Sequence, residues 1–209
     1  MSARLTDIGG NMSRVQQAGR GQTELAAYFE LHIEQGPTLH QAGTPIGVVT
    51  GITGRWVYDV QIIGTANHAG TTPMAARHGA LVSASRLVLG VQHMASGLEI
   101  CRAGTVGNVQ TYPNAVNVIP GLVSMGVEFQ EVDMGALSSA EEEFRRLAAE
   151  VAVLDGATID VKRLENTRSV PIKPRMQGIG SCRRRAHWTG SPAAQDRMPR
   201  RWHPSPIPP

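Results

Sequence analysis

Leu122-Val-Ser-Met-Gly-Val-Glu-Phe-Gln130 decides the fold. Val123, Met125, Val127 and Phe129 alternate with Ser124, Gly126, Glu128 and Gln130, the period of a strand with one face in a core. Outward on the C-terminal side, Ser138 and Ser139 stand three residues before Glu141 and Glu142, a capping box that predicts a helix start. The helix behind it places Phe144, Leu147, Ala148, Val151 and Leu154 on one face, and Thr158 to Arg163 reads as a strand. Outward on the N-terminal side, Thr105 to Gln110 is a strand. Before it, Ala80, Leu81, Ala84, Val88 and Val91 make one helical stripe, with Thr72 as cap, Pro73 at the first position and Gly97 after the end. Arg55 to Ile63 is a strand of aromatic and β-branched residues. The order from Arg55 to Arg163 is β-α-β-β-α-β, which predicts an antiparallel sheet with two helices on one face.

The rest of the chain is less regular. Residues 1–22 are patternless, Thr23 is placed to cap a short helix, and Tyr28 to Ile33 alternates like a strand. Glu34-Gln-Gly-Pro37 breaks it, and Ile46 to Ile52 is another β-prone stretch. Of 209 residues, 41% are hydrophobic and 18% charged, enough for a core and too few charges for a disordered polyelectrolyte. No stretch approaches the ~20 apolar residues of a membrane span, and no signal peptide opens the chain. Two cysteines exclude a disulfide scaffold and a four-cysteine zinc site. A cytoplasmic protein is the expectation. Cys101 stands beside Arg102, which lowers a thiol's pKa when the two are close; with no His near it in sequence, Cys101 reads as structural.

The net charge of +3 is unevenly distributed. Residues 1–165 carry 11 Lys/Arg against 16 Asp/Glu, whereas residues 166–209 carry 9 against one and hold 8 of the 13 prolines. The basic balance therefore belongs to the tail. A nucleic-acid binder is disfavoured by the acidic main part, and a solvated tail is preferred to a phosphate-binding arm.

Three stretches hold residues of catalytic type. In Glu30-Leu-His32-Ile-Glu34, a strand would put the imidazole between two carboxylates, as a metal ligand with support or as an exposed polar face. In Gly64-Thr-Ala-Asn67-His68-Ala-Gly70-Thr71-Thr72-Pro73, a His before a helix N-terminus suits a developing oxyanion, or merely stabilises a turn. In Tyr112-Pro-Asn114-Ala-Val-Asn117-Val-Ile-Pro120-Gly121, the amides bind a ligand or serve the turn.

Together Glu30-Leu-His-Ile-Glu-Gln-Gly-Pro37, Gly64-Thr-Ala-Asn-His-Ala-Gly-Thr-Thr-Pro-Met74 and Pro113-Asn-Ala-Val-Asn-Val-Ile-Pro120 resemble the hydantoinase/carbamoylase family. Its members are N-carbamoyl-L-amino acid hydrolases, allantoate amidohydrolases and β-ureidopropionases, relatives of zinc metallopeptidases. The resemblance implies a catalytic α/β domain holding two divalent metals (zinc, manganese, cobalt or nickel) and a βαββαβ, ferredoxin-like lid that makes a homodimer. It implies a metal ligand at His32, substrate contacts at Gln35 and Asn117, and an oxyanion-stabilising histidine at His68 that reaches the partner subunit's site. At the family's carboxylate-binding arginine this chain has Gln130, which cannot form the bidentate charged pair.

On that basis the expected divisions are a ragged start (1–22), a remnant of the catalytic domain (23–54), the lid (55–165) and a basic tail (166–209). The expected function is metal-dependent hydrolysis of an N-carbamoyl or ureido small molecule, with no nucleic-acid or membrane partner. The alternative is a lid-type dimerisation module without catalysis. The family's remaining metal ligands are expected upstream and downstream, so the chain alone is expected to be inactive, with its unpartnered strands prone to aggregate. The abrupt change of composition predicts that residues from about Met176 to Pro209 are a reading-frame product that packs no core.

Overall fold

The computed structural model describes residues 9–21, 23–175 and 177. The expected behaviour of Met176 to Pro209 falls, apart from Gln177, outside the described residues. The chain divides into two compact units, residues 1–47 and 48–209.

The second unit is built on a four-stranded sheet. Its strands are β2 (Gly54–Ile63), β4 (Ala103–Tyr112), β6 (Leu122–Glu131) and β7 (Thr158–Thr167), in the order β4-β6-β2-β7 and antiparallel throughout. Four two-residue strands form two short ladders beside it: β1 (Gly51–Ile52) joins β8 (Val170–Pro171), and β3 (Asn67–His68) joins β5 (Val118–Ile119). Helices α1 (Ala80–Ser96) and α2 (Met134–Asp155) cross one face of the sheet. Beyond residue 165, where the composition turns basic, the chain remains in strand to Thr167 and again at Val170–Pro171.

The core explains the alternation that predicted it. Trp56, Tyr58, Val60 and Ile62 of β2 and Val123, Met125, Val127 and Phe129 of β6 are buried, and the residues between them are half-buried. Leu87, Val91 and Met94 of α1 and Leu137, Phe144 and Val151 of α2 close over them. Rings of Tyr58, Phe129 and Phe144 meet with centroids 5.6 to 6.0 Å apart. Burying each large side chain stabilises by roughly 1.5–3 kcal/mol. Gly90 of α1 faces Leu147 of α2, and a Cβ at position 90 would collide with the leucine's methyl groups. Gly156, at φ +63°, ends α2 in a left-handed turn that glycine adopts without strain.

Several local expectations need correction. Thr72 and Pro73 do not start the first helix. Pro73 is extended at ψ 144°, a 3-10 turn follows at Met74–Ala76, and α1 begins at Ala80 after Gly79. The Thr72 hydroxyl donates instead to the His68 carbonyl, 2.8 Å away. The Ser138/Glu141 and Ser139/Glu142 boxes lie inside α2. It starts at Met134, where the Asp133 carboxylate accepts from Gly135 N–H at 2.7 Å, and Ser138 donates back to the Met134 carbonyl at 3.1 Å. An acidic N-cap outcompetes a serine that already has an i−4 acceptor.

In the first unit, described from residue 9, a 3-10 segment spans Met12–Ala18 and one helical turn spans Thr38–Gln41. Thr23 caps no helix and Tyr28 to Ile33 forms no strand. A strand needs a neighbour for its backbone groups, and none of the described strands pairs with this stretch. Of Ile46 to Ile52, only Gly51–Ile52 is strand, because β8 pairs with that end alone.

Candidate functional site

The end of β2 leads into the first candidate loop. Gly64 N–H donates to the Gly121 carbonyl at 2.9 Å, and the β3–β5 ladder sets His68 opposite Val118. Ala69 N–H then donates to the Asn117 carbonyl at 2.9 Å. Two residues picked from separate motifs, His68 and Asn117, thus lie side by side, both exposed. Asn117 sits in the loop that follows the cis Tyr112–Pro113 bond, closed by Gly121 N–H on the Tyr112 carbonyl at 3.1 Å.

The His68 ring is not free to choose its proton. Gly70 N–H donates to His68 Nδ1 at 3.0 Å, so Nδ1 is the acceptor and Nε2 carries the hydrogen. The expected helix dipole behind this histidine is absent, since α1 starts only at Ala80. What supports the loop is a residue the motifs did not point to. Arg77 donates from Nε to the Thr72 carbonyl at 3.0 Å and from Nη2 to the Ala69 carbonyl at 2.5 Å. Nothing in the sequence signals this, because both acceptors are backbone. Beside the loop opens a cleft of about 550 Å³ lined mainly by apolar side chains, Met74, Leu81 and Ile119 among them.

Gln130 does not join them. It lies at the far end of β6, opposite Arg55 and Ala103, eight residues past Leu122. That is roughly 25 Å along a strand. Its amide donates to the Glu128 carboxylate, and its carbonyl oxygen accepts from the Thr53 hydroxyl at 3.4 Å. Arg55 is bound to Glu128 at 2.6 Å and also to Glu165. Burial raises the Glu128 pKa, but the hydrogen bonds from Gln130 and Arg55 outweigh it, and the carboxyl lies below its ordinary value.

In the first unit, His32, Gln35, Glu30 and Glu34 are exposed. His32 Nδ1 lies 2.7 Å from the Ile33 carbonyl. Nδ1–H is the donor in that contact, which leaves the Nε2 lone pair for a ligand. Glu34 is turned away to accept from Leu39 N–H at 2.7 Å and His40 N–H at 3.3 Å. The expected single face of Glu30, His32 and Glu34 is therefore not formed. Glu30 accepts from the Tyr28 hydroxyl at 3.0 Å, which raises the phenol's pKa. Gln35 holds φ at 55°, a left-handed turn. Among the described residues no three His, Cys, Asp or Glu side chains group to hold a metal ion. His32 suits one coordination position, and the residues present do not fit a complete metal site.

Cys101 is buried, and burial followed by the nearby Glu131 pushes its thiol pKa up. Desolvation dominates over any influence of Arg102, in keeping with a structural cysteine. No helix among the described residues is long and apolar enough to cross a membrane.

No protein-family profile matches the sequence. Among curated proteins, the chain is 34% identical over 171 residues to the N-carbamoyl-L-amino-acid amidohydrolase of Paenarthrobacter aurescens, covering 82% of this chain and 42% of that protein. It is 31% identical over 156 residues to the allantoate amidohydrolase of Bacillus subtilis (strain 168), covering 75% and 38%. Among solved structures, it resembles an amidase of the hydantoinase/carbamoylase family from Burkholderia multivorans, with a TM-score of 0.68, 34% identity, and coverage of 73% of this chain and 38% of that one. The chain spans about two fifths of the length of the curated relatives it matches. Over that span it has a mixed α/β fold with antiparallel sheets, and it belongs to the hydantoinase/carbamoylase family of amidohydrolases.

Proposed function

We propose that the chain is part of a hydrolase that cleaves a linear C–N bond in an N-carbamoyl-L-amino acid or in allantoate. One observation carries the reading: Gly70 N–H occupies Nδ1 of the exposed His68, which leaves Nε2 as its donor, and the backbone sets this residue beside Asn117. In such a hydrolysis water adds to the carbonyl carbon, the oxygen gathers negative charge, and the nitrogen leaves as an amine. A fixed donor that meets the oxygen as its charge develops favours the transition state over the ground state. Asn117 and Gln35 are the substrate contacts of this reading, with Gln130 a neutral contact in place of an arginine.

The second unit, with its βαββαβ order, acts as a ferredoxin-like lid and dimerisation domain. A homodimer through the lid is supported by two features. Strand β4 ends the sheet with one side unpaired, and Leu81, Val82 and Leu89 leave α1 apolar on its outer side. The family resemblance implies two divalent cations, which would polarise the carbonyl. His32 is the one ligand assigned in this chain, and no reaction step is derived through the metals. Residues 1–209 alone are inactive in this reading. The alternative is a dimerisation module without catalysis.

The deciding experiment exchanges residues 48–171 for the corresponding segment of the Paenarthrobacter aurescens relative. Turnover of an N-carbamoyl-L-amino acid is expected to persist, with His68→Ala lowering kcat about 100-fold and KM little changed. An active chimera indifferent to His68→Ala refutes the catalytic role and leaves the module.

A further inference from the structure

We infer that Arg77 is a positioning residue that sets the tautomer of His68, an inference resting on the reading of His68 as a hydrogen-bond donor. The argument turns on one peptide group. The Ala69 carbonyl and the Gly70 N–H belong to the same planar amide and point in opposite directions. Arg77 Nη2 holds the carbonyl at 2.5 Å, so the N–H on the other side is aimed at His68 Nδ1, which it meets at 3.0 Å. Arg77 Nε takes the Thr72 carbonyl at 3.0 Å, and Thr72 in turn donates its N–H and hydroxyl to the His68 carbonyl, at 3.2 and 2.8 Å. A single guanidinium thus holds both ends of the Ala69–Thr72 turn.

The chemistry of the side chain fits the task. A planar fork with donors in fixed directions can bridge two carbonyls, which a lysine ammonium does less rigidly. Its charge also polarises the Ala69–Gly70 amide and makes the N–H a stronger donor. Arg77 is half-buried, which limits competition from water. Gly70 completes the arrangement: a Cβ there would stand 3.2 Å from His68 Cε1 and 3.5 Å from Nδ1, crowding the ring off its donor. With Nδ1 occupied, the hydrogen resides on Nε2.

The test reads the ring itself. In the ¹⁵N-labelled full chain, long-range ¹H–¹⁵N correlations of His68 are expected to show Nδ1 as a bare acceptor and Nε2 as an N–H. Arg77→Met should bring the two nitrogen shifts toward each other as the tautomers mix, with the amide dispersion of the core unchanged, and Arg77→Lys should restore part of the separation. Should Arg77→Met fail to fold, Gly70→Ala serves, with the same convergence expected. A protonated Nδ1 in the native chain overturns the inference, as do nitrogen shifts that neither Arg77→Met nor Gly70→Ala moves. The outcome does not depend on turnover. Converging shifts together with a chimera indifferent to His68→Ala would leave Arg77 as the positioning residue and remove only the catalytic reading of His68.

Discussion

Residues 54–167 and residues 23–37 are both punctuated by large apolar side chains, yet only the first stretch gathers a set of them into a buried core. Tyr58 and Phe144 are fully buried, whereas Leu31 is 94% exposed, and Tyr28 and Ile33 are each 75% exposed. Both stretches alternate in sequence. What separates them is a partner. Strand β2 has β6 on one side and β7 on the other, while Tyr28 to Ile33 pairs with no described strand. Periodicity states which face would be buried, and only pairing and cover turn that into structure.

The largest expected effect that tests this contrast is in hydrogen exchange. Amides of β2 and β6 should exchange only through global opening, and those of residues 23–37 close to the rate of an unfolded peptide, a difference of several kcal/mol in opening free energy. Equal protection in the two stretches would erase the contrast. Next comes Phe144→Ala, expected to cost about 3–5 kcal/mol in denaturant unfolding because it empties the centre of the aromatic trio. Leu31→Ala, of similar chemistry, should change stability by less than about 0.5 kcal/mol.

A smaller effect concerns acid. The Glu128 carboxyl is held below its ordinary pKa in the folded state. Its contribution is therefore fully present above the usual carboxylate range and is lost as pH falls through the lowered value. Thermal melts across that range should show a shallower acid loss in Glu128→Gln than in the parent chain, by a few tenths of a kcal/mol for a partly exposed pair. Smallest in energy but clear in readout is Cys101. Its buried thiol should react with a disulfide reagent only as fast as the second unit opens, and rapid labelling in native buffer would show that the core there is breached.

Much of this was legible from the chain because burial imposes a period. The run Val123 to Phe129 could only be a half-buried strand, and the stripes of α1 and α2 face it except at their ends, where Leu81 and Leu154 are exposed beyond the edge of the packed helix face. The helix starts were misread where a polar side chain had a better local partner: Thr72 on the His68 carbonyl, Ser138 on that of Met134. The family motifs pointed to His68 and Asn117 separately, and their closeness came only from the β3–β5 pairing. Arg77 was illegible because its acceptors are carbonyls, which every residue has. The place of Gln130, far from His68 along β6, came from the strand pairing and not from any motif.

The contact between Gly90 and Leu147 bears on how this unit tolerates change. A glycine within a helix gives up about 1 kcal/mol of intrinsic propensity relative to alanine, so the position offers an apparent gain to any small substitution. The leucine occupies the space that gain requires. Gly90→Ala would act as a wedge between the two helices. Because the first residue of α1 is tied through Ala80 N–H to the Pro120 carbonyl, the displacement would be carried toward the loop of His68. Position 90 is thus a gauge of helix spacing.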